Sequence, residues 1–365
     1  MKKLWMALLL GLALCLTAAC AANDQTPGGD AAEETDTQTA ENEPETIRVG
    51  MAGKDIKTAC IILAQSLGLF EEEGVNVEFE TISNLAEGLT AVDMGKLDLL
   101  PFGVIPTATF VSQGTDVVII GGTISEGSEA ITLPENIDNF KTPDDFRGKK
   151  VGCYRMETGH MVMKGLLREA GLTIGEGQDV EFVLMDGMPS ICEAVKKGEL
   201  DIGFVNSGYG EIAKQNDLAV AFYVSEWKSG FPCCRQTVSR AALTDKRDAL
   251  VRFMTACLRA YEIYLSDHET TVDALAEYSG QSKDYVEAVM YHGAMVISLD
   301  PNRNKVDDFY QVMKANGDID ANTPYELRDY TDVTVYEDAL NGLLEQNPDD
   351  EVLLQLKEEF QTNNF

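Results

Sequence analysis

Residues 150–172 constrain the fold more than any other stretch. A short β-branched and aromatic run at 150–154 predicts a strand, fed by the polar turn at 143–149. A polar, glycine-bearing corner follows at 155–160. Met163, Leu166, Leu167 and Ala170 then recur at the spacing of a helix with one buried face. Glu157 or Thr158 stands where an N-cap is needed, because its side-chain oxygen accepts from the first unpaired N–H groups. Strand, turn and helix in that order put those N–H groups at the carboxyl edge of a sheet, where open α/β sheets bind small ligands. The positive end of the helix dipole favours an anion or a strong acceptor there. The same order also serves an ordinary strand-to-helix connection with no ligand. Repetition is what argues for a site.

The device recurs along the chain. Residues 46–50 predict a strand, 51–55 a loop and 56–67 a helix, with Gly68 suited to a left-handed C-cap. A strand at 75–81 leads to Ser83 or Asn84, which caps a helix at 85–94. A buried strand at 97–102, a helical tendency at 104–113 despite Pro106, and a buried strand at 117–121 follow. Alternation of this kind predicts a mostly parallel sheet. Further on come a strand at 180–185, a helix at 190–197 opened by Pro189, and a strand at 202–205. Asn206-Ser-Gly-Tyr-Gly then opens a helix at 211–215, and 220–224 predicts a returning strand. Helix starts near Asp55, Ser83, Thr158, Pro189 and Ser207 thus argue for one concave site rich in N–H donors. The corners offer Lys54, Asn84, Phe102, Tyr154, Arg155, Thr158, His160, Met188, Asn206 and Tyr209 as ligand contacts.

The second informative stretch is 225–236. Trp227 and Phe231 suit an aromatic wall beside a cleft, and Arg235 carries a planar fork suited to carboxylate, sulfonate or phosphate. Trp227 as core and Arg235 as a salt-bridge partner stand as equal alternatives. Cys233 and Cys234 are adjacent, too close for an easy disulfide. Most of the cysteines after residue 20 sit in apolar patterns and read as small buried hydrophobes, with bridging left open. Amphipathic helices are expected at 245–266, 269–279 and 283–290. Residues 318–365 suggest two more, packed on the body, from the stripes Tyr336, Leu340, Leu343, Leu344 and Val352, Leu353, Leu354, Leu356.

At the N-terminus two lysines, an apolar run shorter than the ~20 residues of a membrane span and small residues before Cys20 read as an export signal. Leu16-Thr-Ala-Ala-Cys20 resembles the bacterial lipoprotein box, which makes Cys20 the acylated mature terminus. Residues 21–45 lack large apolar side chains and are expected to form a disordered tether. A net charge of −32 excludes a phosphate-backbone binder, hence no nucleic acid as partner. Glu157 with His160 is too sparse for a metal centre, and no cofactor is implied.

Residues 61–78, with Leu67-Gly-Leu-Phe-Glu-Glu-Glu-Gly74, resemble the first helix and second strand of the periplasmic solute-binding family for nitrate, aliphatic sulfonates, taurine and thiamine precursors. Residues 88–98, 146–152, 166–172, 179–183 and 191–201 are similar to its later units in the family's order, and the resemblance spans about 46–296. It implies an α/β, two-lobed periplasmic-binding-protein-like fold of type II, each lobe a mostly parallel sheet flanked by helices, joined by two crossover segments. On that pattern 46–140 opens lobe one, 141–232 forms lobe two, and 233–317 closes lobe one. The implied function is a monomeric, lipid-anchored extracytoplasmic receptor that hands a small molecule to an ABC permease and its ATPase. Relatives that make the thiamine pyrimidine share the fold and use a histidine and a cysteine-rich segment, so an enzyme is the alternative, and a ligand-sensing module is a third.

Overall fold

The computed structural model describes residues 44–155 and 157–365. The expected export signal, Cys20 and all but the last two residues of the tether lie outside the described residues. Glu45 already belongs to the first strand.

The first lobe begins with β1 (Glu45–Met51), α1 (Ala59–Ser66), the single turn α2 (Leu69–Glu72), β2 (Val75–Thr81), α3 (Leu85–Asp93), β3 (Leu99–Leu100), α4 (Val104–Ser112) and β4 (Val117–Glu126). The second comprises β5 (Ser128–Thr132), β6 (Lys149–Cys153), α5 (Thr158–Glu169), β7 (Val180–Leu184), α6 (Met188–Lys196), β8 (Ile202–Asn206), α7 (Tyr209–Lys214) and β9 (Ala219–Tyr223). The chain returns through β10 (Pro232–Ser239), then α8 (Arg240–Asp245), α9 (Arg247–Ser266), α10 (His268–Ser279), α11 (Lys283–Tyr291) and β11 (Met295–Ile297). It closes with α12 (Arg303–Asn316), α13 (Thr334–Gln346) and α14 (Glu351–Asn364).

The strand order is β11-β4-β10-β3-β1-β2 in one sheet and β7-β6-β8-β5-β9 in the other. The sheets are mixed, not mostly parallel as the alternation suggested. β1 pairs parallel with β2 and β3, but β10 runs antiparallel to both β3 and β4, and β11 to β4. In the other sheet β6 is parallel to β7 and β8, while β5 is antiparallel to β8 and β9. The cause is the path of the chain. Strands that climb toward the junction end there, whereas β5 and β10 each enter a sheet from the junction and so run the other way.

The first crossing therefore falls at Glu126 and Gly127, both at left-handed φ (61° and 77°). This is earlier than the expected boundary at 140/141, because β5 follows β4 with no helix between them and was indistinguishable from a first-lobe element. The two crossings are tied together: the Glu126 N–H donates to Phe231 O (2.8 Å) and the Gly230 N–H to the Glu126 carboxylate (2.6 Å).

β4 is buried along nine of its ten residues, which explains its near-continuous apolar run in the centre of a covered sheet. Its glycines are needed where Ser298–Asp300 pass: a Cβ at Gly122 would lie on the Ser298 carbonyl and 2.9 Å from the Arg235 guanidinium. α9 covers this sheet with α1 and α13, and stacks Phe253 on Phe70 at 4.8 Å. α13 and α14 pack on each other, α13 against α9 and β4. α12 touches both lobes. It lies against β10 and α14, and against α5, where the Asn316 amide donates to Met161 O (3.0 Å) and pairs with Arg168.

Candidate functional site

A cavity of about 610 Å³ opens between the lobes at the carboxyl ends of their strands, the place where such sheets take ligands. From the first lobe come Ala52, Asp55 and Lys57 after β1, Ser83 to Ala86 at the start of α3, Phe102 and Gly103 between β3 and α4, and Ile105 in the first turn of α4. From the second come Tyr154 and Thr158 after β6, Met188 after β7, and Asn206 at the end of β8. Cys233 and Cys234 of β10 complete the wall. A smaller recess of about 180 Å³ shares Asp55, Lys57, Met188 and Asn206, and adds Lys54, Tyr209, Gln281 and Tyr285.

The charges within this cleft nearly cancel. Lys57 pairs with Asp55 at 3.1 Å, and its own N–H donates to the same carboxylate at 2.8 Å. Burial is the largest single influence and would lower the Lys57 ammonium, but Asp55, Cys234, Tyr154 and Cys233 together hold the group well above its usual value. Behind the wall, the buried Glu157 carboxylate caps α5, accepting from Gly159 N and His160 N at 2.6 Å each and from the Ser128 hydroxyl at 2.5 Å. The buried Glu129 carboxylate likewise accepts from Gly208 N (3.0 Å) and Gly210 N (2.5 Å) at the start of α7. Asn84 caps α3 by accepting from Glu87 N at 2.9 Å. Three helix starts expected to offer donors to a ligand thus carry acceptors of their own. α4 and α6 begin at Gly103 and Gly187 without a side-chain cap. Burial pushes the Tyr154 phenol well up, so it remains a neutral hydrogen-bonding group.

The structure brings Asn84, Phe102, Tyr154, Thr158, Met188 and Asn206 together around the cavity, with Lys54 and Tyr209 in the adjoining recess. Five expected contacts stand elsewhere. Arg155 is exposed and lines neither space. His160 is buried, with Nδ1 3.3 Å from Glu157, because its helix turns it under the capping carboxylate. Trp227 packs edge-on against Phe146 at 5.9 Å and on Phe222 at 5.3 Å, the core alternative. Phe231 is buried beside Val162 and Phe309. Arg235 is fully buried and donates to Ile124 O (2.9 Å), Cys234 O (2.8 Å) and Ser125 Oγ (3.1 Å). Its fork is committed to the protein's own acceptors and not to the cavity, since residues 232–239 form a central strand of the sheet.

Sequence reasoning passed over Asp55 and Lys57, whose i, i+2 spacing in the loop after the first strand was the available signal. It noted Cys233 and Cys234 but had no means to see that both face the cavity.

A pair of α/β lobes joined by two adjacent crossings, with a ligand-sized space at the strand ends of both, defines a periplasmic-binding-protein fold. The NMT1/THI5-like family model matches residues 55–271, and the chain belongs to that family. A Brucella abortus (strain 2308) protein, described as a candidate binding protein, is 24% identical over 272 residues, 71% of this chain and 79% of its own length. The periplasmic aliphatic sulphonate binding protein of Escherichia coli superposes with a TM-score of 0.64 at 18% identity, covering 79% of this chain and 92% of that one. The periplasmic nitrate-binding protein of Synechocystis PCC 6803 gives 0.66 at 13% identity, over 82% and 89%. At these identities the likeness to the two solved structures is one of fold.

Proposed function

We propose that this protein is a non-catalytic extracytoplasmic solute receptor, anchored through a lipid on Cys20, that delivers a small molecule to an ABC-type permease and its ATPase. The observation that carries the reading is the cavity between the lobes, with walls from both and from a crossing strand. A solute held there contacts both halves at once, so its binding is coupled to their relative position. Relatives named for binding, and solved structures of sulfonate and nitrate receptors, support the same class. The burial of His160 under Glu157 favours a receptor over an enzyme that would use that imidazole.

For the ligand, the walls favour a nitrogen-bearing heteroaromatic or zwitterionic compound, the thiamine-pyrimidine precursor class, over a bare anion. Phe102 and Tyr154 offer ring faces and Asn84 and Asn206 offer amides, while the one cation of the main cavity is offset by Asp55. Sulfonates, taurine and nitrate are the competing outcomes. A thermal-shift screen, read by mass action, separates them. Amino-substituted pyrimidines are expected to raise the melting temperature, and nitrate and short alkanesulfonates to leave it unchanged. The reverse ranking would overturn the ligand assignment, and no response to any of these solutes would overturn the receptor reading.

A further inference from the structure

Successive side chains of a regular strand point to opposite faces. β10 departs from regular pairing at three places, two of them around the cysteines. Pro232 pairs with Ser125 and Cys234 with Ile124, so Cys233 is an extra residue, and the register slips again between Cys234 and Arg235. A bulge of this kind re-aims side chains, and both cysteines line the cavity, with their sulfurs 3.9 Å apart. Both thiols are free. Each also senses its surroundings. The hydrogen bond with Cys233 draws the Cys234 thiol down against the effect of burial, helped by the Lys57 charge and the Gly103 N–H, while that bond and burial push Cys233 up.

Two thiols can close on each other or hold a third atom between them. Consecutive Cα atoms lie about 3.8 Å apart, short of the roughly 4.4–6.8 Å that relaxed disulfides span. Closure would also draw the sulfurs from 3.9 Å to about 2.05 Å. Bridging a larger, soft atom asks for less movement, and thiolates select soft centres. We propose that Cys233 and Cys234 form a dithiol chelate site, in the wall of the solute cavity, for a soft thiophilic centre of the trivalent arsenical class. With an organoarsenic(III) oxide the step is a condensation. Two As–S bonds form, the arsenic–oxygen bonding is lost, and the oxygen leaves with the two thiol protons as one water. No electrons are transferred.

The site stands whether or not the cavity takes the solute proposed above, and its test uses no solute. The full chain is mixed with one equivalent of phenylarsine oxide and weighed intact. A one-to-one adduct with loss of one water is expected, reversed by a dithiol and resistant to a monothiol. Cys233→Ser and Cys234→Ser should each lose it, while Cys192→Ser, outside the cavity, should keep it. Arsenic-edge X-ray absorption of the unsubstituted adduct, expected to show two sulfur neighbours, covers the case in which a variant does not fold. An adduct retained in both variants, a single sulfur neighbour, or folded protein that forms no adduct would overturn the proposal.

Discussion

Replacing Arg235 tests where its charge is used. The guanidinium is fully buried and donates to two carbonyls and one hydroxyl. Burial pulls it down to about 10, with Asp300 acting in the other direction, so the group is held at a desolvation cost that its acceptors offset. Arg235→Ala removes the donors but leaves Ile124 O and Ser125 Oγ facing an empty volume beside Gly122. Each buried acceptor left without its donor costs about 1–3 kcal/mol, and the emptied volume adds to that. Arg235→Met leaves the same acceptors unpaired but fills most of the volume with apolar atoms and removes the buried charge, so it should cost less than Ala. Urea denaturation gives both values, and calorimetric titration of a solute identified by screening gives the affinity. The expected result is a large stability loss for Ala, a smaller one for Met, and a dissociation constant within about threefold of the parent for both, under 1 kcal/mol. A variant of full stability whose affinity falls by about tenfold, 1.4 kcal/mol, would mean that the guanidinium reaches the solute and that the argument is wrong.

Phe102→Ala should raise the dissociation constant for a ring-bearing solute by about tenfold, in line with an aromatic contact of about 0.5–1.5 kcal/mol, and calorimetry checks it; an unchanged value would remove Phe102 from the solute's wall. Glu129 gives a pH signature. Burial pushes its carboxyl above the ordinary 4.5 despite the N–H groups of Gly208 and Gly210, so the folded state holds this proton more tightly than the unfolded chain. Its contribution to stability is full below 4.5 and declines as pH rises through the raised value. Glu129→Gln should flatten the decline measured by denaturation at a series of pH values; an unaltered profile would assign it to other groups.

The strand–helix units were legible because their cause is local. Leu89 and Val92 repeat at helical spacing and are buried in α3, and Asn84 caps it as its side chain suggests. The corner at residues 154–158 likewise lies at the cavity through Tyr154 and Thr158. What escaped was set by long-range pairing. β10 reads as a loop, with Pro232 and two cysteines, until β3 and β4 flank it; only then does Arg235 fall inside the sheet. Equally, nothing near Gly208 in the sequence announces that the Glu129 carboxylate will already occupy its backbone N–H.

α12 has a mechanical consequence. Two covalent strands already join the halves at Glu126–Gly127 and near Gly230, and this helix adds a third strap between β10 and α5. Any change in the spacing of the lobes has to shift α12 against α5, where Gly165 presents no side chain to Val312. A bulkier residue at Gly165 would press on that contact, outside the residues that line the cavity.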